Sequence, residues 1–287
     1  MIRLPNLFSV PGDPLAGFFV IAAGASFSPV HLAAGCGAML FLYMAGLILN
    51  DLMDFDQDLA ERPERPLPSG NISRRAAQIA FLLCSLAAFA LCSLPGRKAP
   101  LVMCLLVFLF VCLYNTALKG IRIIGPVSMG LCRGGSILLG AAMFSGKLDN
   151  SIALIMAVHT AVIAIALITM IADYETRKDI PVVAIWLPGI IVLGGLVAYR
   201  LSLPLNWRNT DYLFCLAGGA AVYFHGRTAM NIWRHRQVTP PDIGRMIGAH
   251  MFIQSAWLFA VNAYIAGGVV LLLWPINRLV VRKIYAS

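Results

Sequence analysis

Charge is scarce in this chain. Only 12% of its 287 residues are Asp, Glu, Lys or Arg, while 60% are hydrophobic and the mean hydropathy is +0.81. A soluble globular domain carries roughly twice that share of charge, so a soluble fold is excluded. Acid is scarcer still: 13 Asp and Glu stand against 22 Lys and Arg, a net charge of +9. The basic residues lie in short connections between apolar runs, so they signal topology and contact with membrane lipid rather than nucleic acid. No C-x-x-C occurs among the seven cysteines (Cys36, Cys84, Cys92, Cys104, Cys112, Cys132, Cys215). All sit inside apolar runs and read as small buried hydrophobes, which argues against a disulfide framework or a zinc site. The histidines show no metal-ligand spacing. G-x-S-x-G, H-E-x-x-H and P-loop motifs are missing, and so is the D-G-x-x-A-R of lipid head-group phosphotransferases. No signal peptide is expected, because the first apolar run leads directly into a second.

What the chain has is repeated apolar runs of about 20 residues, each long enough to cross a hydrocarbon core as a helix. They fall at about 12–29, 31–50, 74–94, 99–117, 124–144, 151–172, 181–199, 211–226 and 250–274. The fold class is therefore all-α, a multi-pass membrane bundle of about nine helices, since inside lipid each backbone group must be satisfied within its own segment. Connections after the even-numbered helices hold twelve Lys and Arg, against five after the odd-numbered ones. The positive-inside rule makes the first set cytoplasmic. The expected location is a cytoplasmic (inner) membrane of bacterial type, with the site facing the cytoplasm.

The scarce acid is concentrated. NDLMDFDQDLAERPERPLPSG, from Asn50 to Gly70, opens at the end of the second run and holds Asp51, Asp54, Asp56, Asp58, Glu61 and Glu64. If the helix continues past the membrane, Asp51, Asp54 and Asp58 share one face at i, i+3 and i+7, with Asn50 beside them. Like charges on one face repel, and acids are unfavourable at a helix C-terminus. Divalent cations between them explain the pattern better than a solvated helix end does. Arg62 and Arg65 follow in a proline-broken stretch.

A second acidic cluster, Asp173, Glu175 and Asp179 in MIADYETRKDI, follows the sixth run. Both clusters follow even-numbered helices and so share a face. A single domain over 1–287 is expected, with pseudo-repeat halves at about 12–117 and 124–226 and a ninth helix at 250–274. On a continuing helix Glu175 and Asp179 face together, and Asp173 pairs with Arg177. Alternatively the helix unwinds after Ala172 and frees Asp173 to face the first cluster. Tyr114 and Lys119 lie at the cytoplasmic end of the fourth helix. Arg133 lies inside the fifth, where a charge needs a protein interior or a watery cavity. Acids ligating Mg²⁺, rimmed by Lys and Arg, suit a diphosphate with an apolar tail.

The motif N-D-x-x-D-x-x-x-D followed by R-x-x-R-P-x-x-S-G resembles the first signature of the UbiA-type intramembrane prenyltransferases. It stands here as Asn50, Asp51, Asp54, Asp58, Arg62, Arg65, Pro66, Ser69 and Gly70. Tyr114 and Lys119 also fall where that family has them. The stretch GPVSMGLCRGGSILLGAA is similar to the UbiA-like proteins of bacterial ebo-type gene clusters. The resemblance implies Mg²⁺-dependent transfer of a prenyl group from a polyprenyl diphosphate to an aromatic or other lipophilic acceptor within the membrane. The alternative is a non-catalytic carrier of a prenyl or lipid diphosphate on the same fold. The implied roles are metal binding by Asp51, Asp54, Asp58, Glu175 and Asp179, and diphosphate binding by Asn50, Arg62, Lys119 and Arg133. Asp54, Asp173, Asp179 and Tyr114 take part in the chemistry. The second motif departs from the family's D-x-x-x-D or D-x-E-G-D, because Arg177 stands where the latter has its last Asp.

Overall fold

The computed structural model describes residues 7–145, 151–175, 180–203 and 209–285. Among them there is no strand. Eleven α-helices follow one another: α1 (Gly12–Ala22), α2 (Pro29–Met53), α3 (Phe55–Glu61), α4 (Arg74–Ser93), α5 (Lys98–Leu113), α6 (Ile124–Ser145), α7 (Ile152–Ala172), α8 (Val182–Leu201), α9 (Asn209–His235), α10 (Pro240–Ala260) and α11 (Tyr264–Tyr285). A π-turn, Tyr114–Leu118, extends α5, and a 3₁₀ turn, Asp173–Glu175, extends α7.

Helix starts carry their sequence signals. Ser28 caps α2 by accepting from the His31 N–H, with Pro29 in the first turn, and Ser73 caps α4 by accepting from the Ala76 N–H. At α10 the Thr239 side chain and Asp242 form a reciprocal capping box.

Six helices among the described residues are long and apolar enough to cross a membrane: α2, α4, α5 with its π-turn, α6, α7 with its 3₁₀ turn, and α8. The expected nine spans need correction at both ends of the chain. The first run does not stay helical to residue 29: α1 stops at Ala22, where Ala23 (φ 45°) and Gly24 (φ 86°) turn left-handed. The run at 250–274 is two helices, divided at Asn262, which also has a positive φ (64°). The eighth run, placed at 211–226, continues to His235 because its polar last turns still form good helix.

Two apolar clusters build the interior, and α1 and α6 belong to both. One joins them to α2, α4 and α5 around Phe18, Leu42, Leu139 and Met143. The other joins them to α7–α11 around Trp257, where Tyr199, Phe214 and Trp257 meet edge-to-face at 5.1–5.9 Å. The central crossing is backbone-close: a Cβ on Gly17 would lie 1.8 Å from the Ile137 carbonyl oxygen, and one on Gly140 2.0 Å from that of Pro14. Only glycine permits this approach. Outward faces of α4 and α5 present Leu82, Leu83, Leu86, Leu105 and Leu109, as a lipid-facing surface requires.

Candidate active site

The first acidic stretch is a jointed helix end. α2 closes at Met53, Asp54 takes φ −85°, ψ 7°, and α3 starts at Phe55. The four-residue hydrogen bonds still run through, from Asp54 N–H to Asn50 O (2.9 Å) and from Asp58 N–H to Asp54 O (2.8 Å). Asn50, Asp54 and Asp58 therefore keep an i, i+4, i+8 order. The side chains do not gather as the expected triad of acids. Asn50 Nδ2 donates to Asp54 Oδ2 at 3.1 Å, and Lys119 Nζ is ion-paired to the same oxygen. Asp58 is buried, and Arg65 Nη1 donates to both of its oxygens at 2.8 and 2.6 Å. Leu67, buried on Ile48 and Ala77, holds the loop that brings Arg65 back. Asp51 is half-buried in the last turn of α2, and Arg62 is exposed at the end of α3.

Lys119 reaches Asp54 because of the π-turn. Its N–H closes on the Tyr114 carbonyl at 2.9 Å, a five-residue step. Each such turn winds wider than an α-helix and shifts the side chains that follow, a device common at functional sites. Tyr114 opens the turn. Asn115, whose amide donates to the Val111 carbonyl at 2.8 Å, sits within it.

Arg133 stands elsewhere. Nη1 donates to Asp13 Oδ2 at 2.6 Å and to the Ser9 carbonyl at 3.1 Å, while Nη2 donates to Ser9 Oγ at 2.8 Å. His250 Nε2 lies 3.1 Å from Asp13 Oδ1, and Gln254 Nε2 donates to that oxygen and to the Ser9 carbonyl, each at 2.8 Å. The network ties α1, α6 and α10 together in the bundle interior. An unpaired charge there costs several kcal/mol, so Arg133, for which a diphosphate role was expected, is paired with Asp13 in this structure. Sequence reading missed Asp13, His250 and Gln254. The available signal was one acid and one base, each inside an apolar run.

In the second cluster regular α-helical winding ends at Ala172 and tightens into a 3₁₀ turn. Asp173 and Glu175 lie on the 3₁₀ turn, and Tyr174 between them packs on Ile168, Ile185 and Ile232. Asp173 is exposed. The expected facing of Glu175 and Asp179 on one continuous helix depends on residues outside those described. Asp179 and Arg177 lie outside the described residues.

Among the described residues no three acids, histidines or cysteines converge to hold a metal ion. The donor set nevertheless fits Mg²⁺, which takes one or two carboxylates and completes its shell with water and phosphate oxygens. Both donors to Asp54 share Oδ2, so Oδ1 receives neither.

The UbiA prenyltransferase family model matches residues 14–256. The chain belongs to the UbiA prenyltransferase family. It is 32% identical over 210 residues to the digeranylgeranylglyceryl phosphate synthase of Methanosarcina mazei; that match covers 71% of this chain and 62% of the relative, under two-thirds of its length. In structure it is similar to a UbiA homologue from Aeropyrum pernix K1, with a TM-score of 0.70 at 17% identity, covering 89% of this chain and 98% of that one. It is also similar to a UbiA homologue from Archaeoglobus fulgidus bound to GPP and Mg²⁺, with a TM-score of 0.62 at 16% identity, covering 91% and 96%. These likenesses show the fold. As a UbiA protein with six apolar spans among its described helices, the chain is a multi-pass membrane protein.

Proposed function

We propose that this UbiA protein transfers a prenyl group from a prenyl diphosphate to a hydroxyl of a lipophilic, glycerophosphate-type acceptor, at the cytoplasmic face of the membrane and with Mg²⁺. The observation that carries the reading is the convergence of Asn50 and Lys119, from two separate segments, on Asp54 Oδ2. It places a hard carboxylate ligand and a phosphate-seeking ammonium side by side at one end of an apolar bundle. The family-based expectation of an aromatic acceptor has no support in the relatives, whose name specifies a glyceryl phosphate product.

Asp54 and Asp51, with Asp173, Glu175 and Asp179 of the second cluster, would hold Mg²⁺. When bound, Mg²⁺ neutralises the diphosphate and makes it a better leaving group. Lys119 and Arg62 attract the diphosphate oxygens that gain charge as the allylic C–O bond breaks. The electron pair of that bond leaves with the diphosphate. The acceptor hydroxyl attacks the allylic carbon, and its proton passes to the departing diphosphate. Asn50 holds Asp54 in the orientation this requires, and the apolar walls keep water from the cationic carbon. Asp58, gripped by Arg65, acts by positioning the loop over the joint.

The test uses purified protein in lipid nanodiscs with radiolabelled geranylgeranyl diphosphate and Mg²⁺. Parallel reactions receive geranylgeranylglyceryl phosphate or 4-hydroxybenzoate. Label appearing in a phosphate-bearing lipid supports the proposal. Label on the aromatic acceptor alone replaces the acceptor class.

A further inference from the structure

Two carboxylates of this stretch, Asp54 at the joint and Asp58 beyond it, are each neutralised by a cation of the chain, but the two pairs differ in kind. Asp58 is held through both oxygens by Arg65, and its side chain is only 8% exposed. Asp54 meets Lys119 through one oxygen, with side-chain exposures of 23% and 41%. With Asp58 buried and both its oxygens on Arg65 Nη1, that pair is hard to break, because opening it strands the buried carboxylate. A solvated single-contact pair is weak and exchanges readily. Lys119 also follows the π-turn of α5 and is not on the helix of its acid, so its ammonium can move while Asp54 stays. Asn50 remains bonded to Asp54 without adding charge.

We propose that Lys119 is the resident counter-cation of Asp54 in the substrate-free protein and thereby makes metal and diphosphate binding depend on each other. This rests on the proposed function and names how that site is regulated. While Lys119 occupies Oδ2, a divalent ion meets a carboxylate already paired and a nearby positive charge. A diphosphate offers the ammonium other oxygens. Lys119 then turns to phosphate, and Asp54 meets the ion with no ammonium on Oδ2, Asn50 alone still donating there. Metal alone binds weakly, metal with diphosphate binds well, and by reciprocity the metal tightens the diphosphate to the same degree. Arg65 takes no part in the exchange. It keeps Asp58 and the loop fixed throughout.

The test measures Mn²⁺ binding by electron paramagnetic resonance on the full chain in nanodiscs, with and without inorganic pyrophosphate. The parent, Lys119→Met and Lys119→Arg are compared. In the parent, pyrophosphate should tighten Mn²⁺ by about tenfold or more, within the usual range of linked sites. In Lys119→Met, Mn²⁺ alone should bind about fivefold tighter than in the parent, the effect of removing one exposed ion pair, and the gain from pyrophosphate should shrink. Lys119→Arg keeps the charge and should behave as the parent. The Lys119 side chain is 41% exposed and its loss leaves no buried charge unpaired, so the variants should fold; size-exclusion profiles check this. If Lys119→Met binds Mn²⁺ alone no better than the parent, or keeps the full pyrophosphate effect, the inference is overturned while the proposed function stands. If the parent binds no Mn²⁺ even with pyrophosphate, both are overturned.

Discussion

Lys119, the residue after the π-turn that ends α5, is ion-paired to Asp54, the joint between α2 and α3, across 65 positions of sequence. Two helix ends that would otherwise be only neighbours are thus joined at the charged end of the bundle. The pairing depends on one extra residue of winding. Deleting Ala117, an exposed residue of the turn, should restore α-helical winding and rotate Lys119 by about 100°. Turnover should fall by about 10²-fold, as for other misplaced catalytic groups. Thermal stability should change little. Unchanged turnover would separate the π-turn from the chemistry.

The Asp13–Arg133 pair is structural, and its energetics give it a signature. Asp13→Leu alone should cost about 3 kcal/mol or more, because Arg133 is left charged and unpaired in the bundle. Arg133→Leu alone should cost a similar amount. The double substitution should cost clearly less than the sum, since both charges leave together. Denaturant unfolding in mixed micelles measures the cycle. Strict additivity would show that the pair is not coupled.

Asp242 links the last loop to pH. Burial by itself raises its carboxyl, but hydrogen bonds from Thr239, Arg245 and Asn231 outweigh this and hold it below the ordinary carboxylate range. The ionised form is therefore the one the fold prefers. Its stabilisation is fully present above the unfolded value, about 3.9, and is lost as pH falls through the lower folded value. Asp242→Ala should cost about 1–2 kcal/mol at neutral pH through loss of the capping box. The difference from the parent should narrow on acidification toward pH 3. A constant difference between pH 7 and pH 3 would contradict the assignment.

The reach of the sequence follows from what each feature depends on. The all-α membrane class was legible because apolar run length is a direct requirement of the bilayer. The acidic joint was legible because clustered acids at a helix end need a reason. The pairing of Asp58 with Arg65 was not, since it depends on a loop that doubles back over Leu67. The π-turn leaves no mark in YNTALKG, as its winding is set by packing. The end of α1 at Ala23 was hidden because alanine is ordinarily a helix former. Asn262 was a readable break, being a residue that tolerates left-handed backbone, but the hydropathy around it masked the signal. Arg133 was recognised as a charge needing a partner; Asp13 was overlooked because it lies in a proline-rich lead-in.

The 3₁₀ turn after Ala172 favours one of two orders of importance in the second cluster. With Asp173 on the exposed 3₁₀ turn, Asp173→Ala should lower turnover steeply, by about 10²-fold or more if a metal ligand is lost. An additional Arg177→Ala should not rescue it. Turnover of the single and double variants at saturating Mg²⁺ measures this. An active Asp173→Ala beside a dead Asp179→Ala would restore the continuous-helix arrangement.

Asp54 is the point on which the account converges, and Asp54→Asn tests it most directly. The substitution is nearly isosteric and removes one charge from the joint. The measurement is release of diphosphate and formation of prenylated lipid from labelled geranylgeranyl diphosphate, for parent and variant, with Mg²⁺ and with EDTA. The parent should form both products only with Mg²⁺, and Asp54→Asn should form neither while keeping the parent's unfolding midpoint within a few degrees, as expected for a change of under about 1 kcal/mol. Parent-like turnover by the variant, or Mg²⁺-independent turnover by the parent, would contradict the account.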